Sequence, residues 1–288
     1  GNWFFRGRVT AQKYGDYRIP ADTISYLTWR MPIHHQQVKN SAGKEYNLSL
    51  SIHYGNEKAE SQVYIAHVNG KNGFFPGSHG IPKLSRLEPD ASTRNIELPY
   101  AASSHSKIIS NTVVRFTTSE LSVDLGFQRN RRVEMSQFHT HYSNQRPPAE
   151  HPDRELLFLL RTYSTNIRWM TDLNARWSST VGISAEQQRN EVDGYAFLLP
   201  RFRRTWGAIY WLHSVQLRPQ LSLTGGIRYD IGSITVGGYY DPVLAEYLQG
   251  QAYPAETVAT YAQRATNLRK RFGDFSGSVG IGYTPDNR

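Results

Sequence analysis

The sequence predicts an all-β chain: an antiparallel meander of about ten strands of a transmembrane β-barrel with long extracellular loops. Three observations predict it. Apolar and polar residues alternate over long stretches, most plainly from Glu120 to Gln128, where Leu121, Val123, Leu125 and Phe127 share one side and Ser122, Asp124, Gly126 and Gln128 the other. Short and long connections alternate along the chain, the pattern of a barrel with tight turns at one rim and loops at the other. Aromatics reach 12 % of residues, with 18 Tyr and 6 Trp, as interfacial girdles require.

The strands are expected at Trp3–Ala11, Lys44–Tyr54, Ser61–Asn69, His105–Phe116, Leu121–Glu134, Glu155–Met170, Arg176–Gln188, Arg203–Leu217, Leu221–Val236 and Phe272–Thr284. Alternation is cleanest near Tyr46–Tyr54, Arg176–Glu186, Leu221–Asp230 and Phe275–Tyr283. Ser61–Asn69, His105–Phe116 and Arg203–Leu217 carry apolar residues on both faces, as a sandwich strand would. The short connections, Gly55–Glu60, Thr117–Glu120, Thr171–Ala175 and Arg218–Gln220, hold turn residues such as Gly55-Asn56, Asp172-Leu173-Asn174 and Pro219. The long ones are Gln12–Gly43, Gly70–Ser104, Met135–Arg154, Arg189–Phe202 and Gly237–Arg271. In the last, Val258, Tyr261, Ala262, Ala265 and Leu268 recur at helical spacing and predict a short helix within Ala255–Arg271. Both chain ends are expected at the short-turn, periplasmic rim. One domain, 1–288, is expected.

Composition narrows the classes. Mean hydropathy is −0.57, and the apolar run Leu156–Leu160 falls far short of the ~20 residues of a transmembrane helix. The formal charge of +9 is scattered in ones and twos along strands, so no nucleic-acid partner is expected. The absence of Cys removes thiol catalysis, Cys-based zinc sites and disulfide frameworks. No signal peptide is visible ahead of Trp3-Phe4-Phe5. Asp124, Gln128, Asn166, Arg168, Arg176, Glu186, Arg228 and Asp230 fall on polar strand faces. They line either a barrel lumen or the solvated face of a soluble sheet.

Candidate binding residues lie in the long connections. In Phe138-His139-Thr140-His141-Tyr142, His139 and His141 share a face if the strand continues, with Glu134 and His151 nearby in sequence. They are either metal or haem ligands, which imidazole suits, or polar loop histidines. His34 and His35 are adjacent and would point apart. Phe74, Phe75, Tyr239 and Tyr240 either stack on a ligand or pack loop against loop. Ser136 near His139 is the one pairing with a hydrolytic flavour, and no oriented third group accompanies it.

A resemblance then enters on four stretches: Tyr14-Gly15-Asp16-Tyr17-Arg18-Ile19-Pro20-Ala21-Asp22, similar to a "GDYR-P" loop signature; Asn40-Ser41-Ala42-Gly43-Lys44-Glu45; Gly73-Phe74-Phe75-Pro76-Gly77-Ser78-His79-Gly80; and Leu221-Ser222-Leu223-Thr224-Gly225-Gly226-Ile227-Arg228-Tyr229-Asp230, similar to an "LTLTGGLRYD" strand. In this order they resemble TonB-dependent outer-membrane receptors over nearly the whole chain. The chain departs from that family in lacking its N-terminal plug domain and coupling box, and in predicting ten strands rather than about 22. The resemblance therefore implies part of the barrel, roughly its first half, with two exposed sheet edges. "FRAP" and "NPNL" motifs of haem receptors are absent.

What the resemblance implies is a Gram-negative outer-membrane transporter without enzymatic activity or a resident cofactor. It would import a large scarce nutrient, a ferric siderophore first, then cobalamin, then haem. The plug domain of the same longer chain, the TonB energy-coupling protein and outer-membrane lipid would be its partners. Ligand is expected at Tyr14, Tyr17, Phe74, Phe75, His79, His139, His141, Tyr142, Tyr239 and Tyr240. Two rivals stay open: a complete small outer-membrane barrel with hydrolytic activity, and a soluble carbohydrate-binding β-protein.

Overall fold

Period-two alternation over ten long stretches gives ten long strands. The computed structural model describes residues 1–26, 28–76 and 84–285. Its elements, in chain order, are β1 (Asn2–Tyr14), β2 (Thr23–Tyr26), β3 (Trp29–Pro32), β4 (Gly43–Gly55), β5 (Ala59–Gly73), β6 (Tyr100–Arg115), β7 (Ser119–Met135), β8 (Arg154–Asn174), β9 (Trp177–Asp193), β10 (Phe202–Arg218), β11 (Leu221–Val236), β12 (Tyr239–Tyr240), α1 (Pro242–Gly250), α2 (Ala255–Ala262), β13 (Gln263–Ala265) and β14 (Leu268–Tyr283). One ten-stranded sheet runs β1-β4-β5-β6-β7-β8-β9-β10-β11-β14, every neighbour antiparallel. This is the predicted meander. β2 pairs with β3, and β12 with β13, as small hairpins outside it.

Residues directly opposite in an antiparallel pair point to the same side, so the register assigns faces. Val123, Ile167, Ile183, Ile209, Tyr229 and Phe275 form one unbroken row across six strands. Leu121, Leu125, Phe127, Val181, Leu223, Ile227, Val279 and Ile281 share that face. Its open side chains run from 46 % for Ile227 to 80 % for Val279, while Leu121, Val123, Phe127, Ile167 and Leu223 are half-buried. An apolar patch this continuous does not persist in water; it is the outward surface of a barrel in lipid.

The opposite face is hydrogen-bonded. Asp124 accepts from Asn111 at 2.8 Å, Asn166 at 3.2 Å and Arg168 at 3.5 Å. Arg204 pairs with Glu186. Arg228 grips Asp230 at 2.8 and 3.0 Å while its guanidinium lies over the Trp206 and Tyr210 rings. Of the residues expected there, Arg176 falls in the turn before β9 instead. The three strands with apolar residues on both sides pair as regularly as the rest.

Short turns are closed by side chains. Asn56 Oδ1 accepts from the Lys58 and Ala59 N–H groups at 2.9 and 2.8 Å, and Asn174 Oδ1 from Arg176 N–H at 2.9 Å. Buried apolar side chains are few in the sheet and gather in the loops, where Met31, Ile33, Val38, Ala42 and Leu87 are almost fully covered. Ala245, Val258 and Ala262 join α1 to α2.

The helix expected within Ala255–Arg271 ends at Ala262, and β14 begins at Leu268, four residues before the expected Phe272. Val236 opposite Leu268 and Thr235 opposite Arg269 extend the ladder there, so strand pairing overrides helical spacing. Among the described residues no helix is long and apolar enough to cross a membrane.

Candidate functional site

The long loops join the strands at one rim and form two clusters. The first lies over β1, β4 and β5. Asn40, 2 % exposed, donates from Nδ2 to the Phe74 and Pro99 carbonyls at 2.8 Å and to that of Glu97 at 3.2 Å, while its Oδ1 accepts from Glu97 N–H at 2.7 Å. Asn40 has φ 60°, a conformation Asn tolerates better than most residues. Gly73 faces it so closely that a Cβ would sit 2.1 Å from the Asn40 carbonyl oxygen. Asp16 accepts from the Ser41 and Ala42 N–H groups at 2.8 and 2.9 Å. Burial pushes its carboxyl up, and those N–H groups pull it back down.

Four predicted contact residues belong to this cluster. The Tyr14 hydroxyl donates to Asn72 Oδ1 at 2.7 Å, and its ring lies across Gly43. Tyr17 holds Ser41 and Val38 through its backbone and leaves its side chain 57 % exposed. Phe74 and Phe75 are half-buried, and Phe74 N–H donates to the Pro99 carbonyl at 2.9 Å. His79 lies outside the described residues.

The second cluster draws on loops 136–153, 194–201 and 237–267. β7 stops at Met135, so His139 and His141 do not share a strand face; their rings meet at 5.1 Å, edge to face. The Tyr195 hydroxyl lies 3.3 Å from His139 Nδ1 and shares a short hydrogen bond with buried Ser136. Ser136 thus engages a phenol, not a histidine base. Tyr142 stacks on Tyr247 at 5.7 Å, donates to Asp241 Oδ2 at 3.2 Å and receives Arg264 Nη1 at 3.5 Å. Tyr239 stacks on Phe197 at 4.6 Å, with the Arg264 guanidinium over the Phe197 face. Tyr240 is exposed on β12.

Burial raises the hydroxyls of Tyr142 and Tyr239, with Asp241 adding to it, and pushes Tyr195 up to about 12. All three are neutral donors near pH 7. Burial, then the nearby charge of His139, lowers His141. Among the described residues no group of three or more His, Asp or Glu could hold a metal ion. The arrangement offers stacking surface, phenol donors and one arginine.

The structure therefore brings His139, His141, Tyr142, Tyr239 and Tyr240 to one group of loops, and Tyr14, Tyr17, Phe74 and Phe75 to another. Tyr195, Phe197, Asp241, Tyr247 and Arg264 were missed. One signal was present: Asp241-Pro242 is an N-cap followed by Pro at the first helical position, and Asp241 Oδ1 does accept from Leu244 N–H at 3.0 Å.

No family profile and no curated protein sequence matches the chain. Solved structures do. The FrpB iron transporter from Neisseria meningitidis (F5-1 variant, apoprotein form) is 12 % identical with a TM-score of 0.61, over 99 % of this chain and 40 % of that one. The copper transporter OprC is 11 % identical with a TM-score of 0.59, over 99 % and 39 %. The ferric-catecholate import receptor Fiu from E. coli K12 in its open form is 14 % identical with a TM-score of 0.52, over 97 % and 47 %. The chain spans about two fifths of the length of the structures it matches. These structures are TonB-dependent receptors, and the fold is that of part of their barrel. Among the described residues its ten long strands form one sheet, not a two-sheet sandwich, with β1 and β14 at the edges.

Proposed function

We propose that this chain is part of the barrel of an outer-membrane active-transport receptor that imports a metal chelate, a ferric siderophore above all. The carrying observation is the second loop cluster, set on this fold. Loops from three different strand connections converge to place Tyr142, Tyr239, Tyr195, His139, His141 and Arg264 together. Aromatic faces and one guanidinium suit a planar anionic chelate. The raised phenols favour recognition of an intact chelate by stacking and donation over direct tyrosinate ligation.

Binding alone is asked of these residues, with no covalent step. In a whole receptor, a plug domain would complete the pocket from the lumen side, where the Asp124 network and the Arg228–Asp230 pair offer it polar partners. The energy-coupling protein would then act on the plug from the short-turn, periplasmic side. Tyr14, Tyr17, Phe74 and Phe75 contribute a second aromatic wall.

The test is uptake of radio-iron as a ferric catecholate chelate by cells making the whole receptor. Replacing Tyr142, Tyr239 and Arg264 with Ala should lower the uptake rate at least about tenfold, since each stacked or charge-assisted contact contributes roughly 0.5–3 kcal/mol. Heat-modifiable gel mobility should be retained. Uptake at the wild-type rate in a correctly assembled variant would refute the site. Replacing Phe74, Phe75 and Tyr142 with Ala tests both walls at once.

A further inference from the structure

The strand register sets four arginines in one line. Arg129 of β7 lies opposite Arg161 of β8, Arg161 opposite Arg189 of β9, and Arg189 opposite Arg203 of β10. Strands lie 4.7–4.9 Å apart, so the line is about 15 Å long. Like charges directly opposite destabilise a sheet. The acid that relieves it is Glu191, whose Oε1 meets Arg161 at 3.0 Å and Arg189 at 3.1 Å. Among the described residues no carboxylate pairs with Arg129 or Arg203. Both are exposed.

The line belongs to the apolar, outward face. Two residues toward the short turns from Arg129 and Arg161 stand Phe127 and Tyr163, packed at 5.0 Å. Eight residues separate Arg161 from Trp169 on the same face. At ~3.3 Å per residue and a tilt near 40°, that spans roughly 20 Å of depth, close to the ~25 Å apolar band of a membrane barrel. The guanidinium groups thus emerge where hydrocarbon gives way to headgroups, at the long-loop rim. Just beyond, Leu157 and Leu159 with Arg189, Arg201 and Arg203 line an open groove of about 520 Å³.

A row of four arginines offset by one carboxylate, Glu191, costs the sheet stability, and what it offers is an anion site. Arginine binds phosphate through paired N–H groups. The groove's leucines and the apolar band beneath it supply the surface that acyl chains need, which free phosphate does not. We propose that Arg129, Arg161, Arg189 and Arg203 bind the phosphate-bearing headgroup of a lipid in the loop-side leaflet, whose chains lie along the outward face. This rests on the reading of that face as membrane-exposed.

The test uses the full-length receptor in mild detergent, with three probes: lipid A carrying its phosphates, the same lipid with them removed, and inorganic phosphate. Binding is read by native mass spectrometry. The wild type should bind the phosphorylated lipid. Arg129→Gln, Arg161→Gln, Arg189→Gln and Arg203→Gln together should weaken it at least about tenfold, to the level of the dephosphorylated lipid, and the corresponding Lys variant should fall between. Arg204→Gln, on the lumen face, should change nothing. If the fourfold variant does not assemble, Arg189→Gln with Arg203→Gln is read in the same way. Equal binding by the Gln variant overturns the proposal. So does complete displacement by inorganic phosphate, which would make this a phosphate site, or an effect confined to self-association, which would make it a protein contact. Release of the wild type from membranes without detergent would instead refute the membrane reading.

Discussion

The two loop clusters use polar chemistry in opposite ways. Over β1, β4 and β5, polar side chains turn inward: Asn40 and Asp16 spend their hydrogen bonds on backbone groups of neighbouring loops. Around Tyr142, polar side chains meet one another across loops that are 99 or more residues apart in sequence, and their aromatic partners stay partly open. A cluster whose polar groups are consumed by the backbone is a clasp. A cluster whose groups are held by other side chains at 3.2–3.5 Å can exchange those partners for a ligand.

The sharpest way to break this contrast is Asn40→Ala. It removes three donated bonds and one accepted bond in a buried setting, and places Ala at φ 60°. A cost of about 3 kcal/mol or more in local stability is expected. It should appear as lost amide protection in 84–99 and 37–42 by hydrogen exchange, with 137–151 unaffected. Asn40→Gly should cost about 1 kcal/mol less, because Gly restores the backbone conformation but not the bonds. Equal protection in wild type and Asn40→Ala would mean the clasp is incidental.

The matching cut in the second cluster is Gly194→Ala. Gly194 has φ 116°, and a Cβ would sit 2.2 Å from the Glu155 carbonyl oxygen. The chain must shift there, carrying Tyr195 away from Ser136 and His139. A local loss of about 2 kcal/mol is expected, read by exchange in 194–201 and 136–141, with the Asn40 region unchanged.

These contrasts show what could be read in advance. Alternation fixed the ten strands, their order and the facing of residues such as Leu125, Ile183 and Ile227, because a strand's period is short and local. Several strand ends were placed short at the loop rim, since β6 begins at Tyr100, five residues before the expected His105, and β9 runs to Asp193, five beyond the expected Gln188, on ladder pairing that carries no clean apolar alternation. The candidate aromatics were found one by one. Their division into two clusters was hidden, because it depends on loop closure: Asn40 reaching Pro99, and Tyr142 reaching Asp241. Neither contact leaves a spacing in the sequence.

Tyr142→Phe sharpens the contrast with a smaller change. The ring keeps its stack on Tyr247, while the bonds to Asp241 and Arg264 disappear. About 1 kcal/mol is expected, as faster exchange at 241–247 and weaker chelate binding in the whole receptor, without effect on the clasp. If Tyr142→Phe binds the chelate as well as wild type while Tyr142→Ala does not, the ring and not the hydroxyl makes the contact.

The smallest expected effect is a pH dependence confined to the second cluster. His141 is held below its ordinary value of 6.5, first by burial and then by the charge of His139; Glu155 and Asp241 act the other way, and Arg264 adds to the lowering. A base with a lowered value in the closed loop takes its proton more readily when the loop opens. The closed form therefore keeps its full contribution above pH 6.5, and loses it as pH falls through 6.5 toward the lowered value. An exposed edge of the ring limits the size of the effect. Amide protection in 137–151 should decline between pH 7 and pH 5, and His141→Gln should flatten that decline while leaving the Tyr142–Tyr247 stack in place. In the clasp, Asp16 has the opposite sign: its raised carboxyl favours the closed form at low pH, and this contribution fades as pH rises from about 3.8. Acidification from pH 7 to pH 5 should then loosen the His141 loop and not the Asp16 loop. A parallel loss of protection in both would show that the two clusters open as one unit, and the division between the clasp and the proposed ligand cluster would fall.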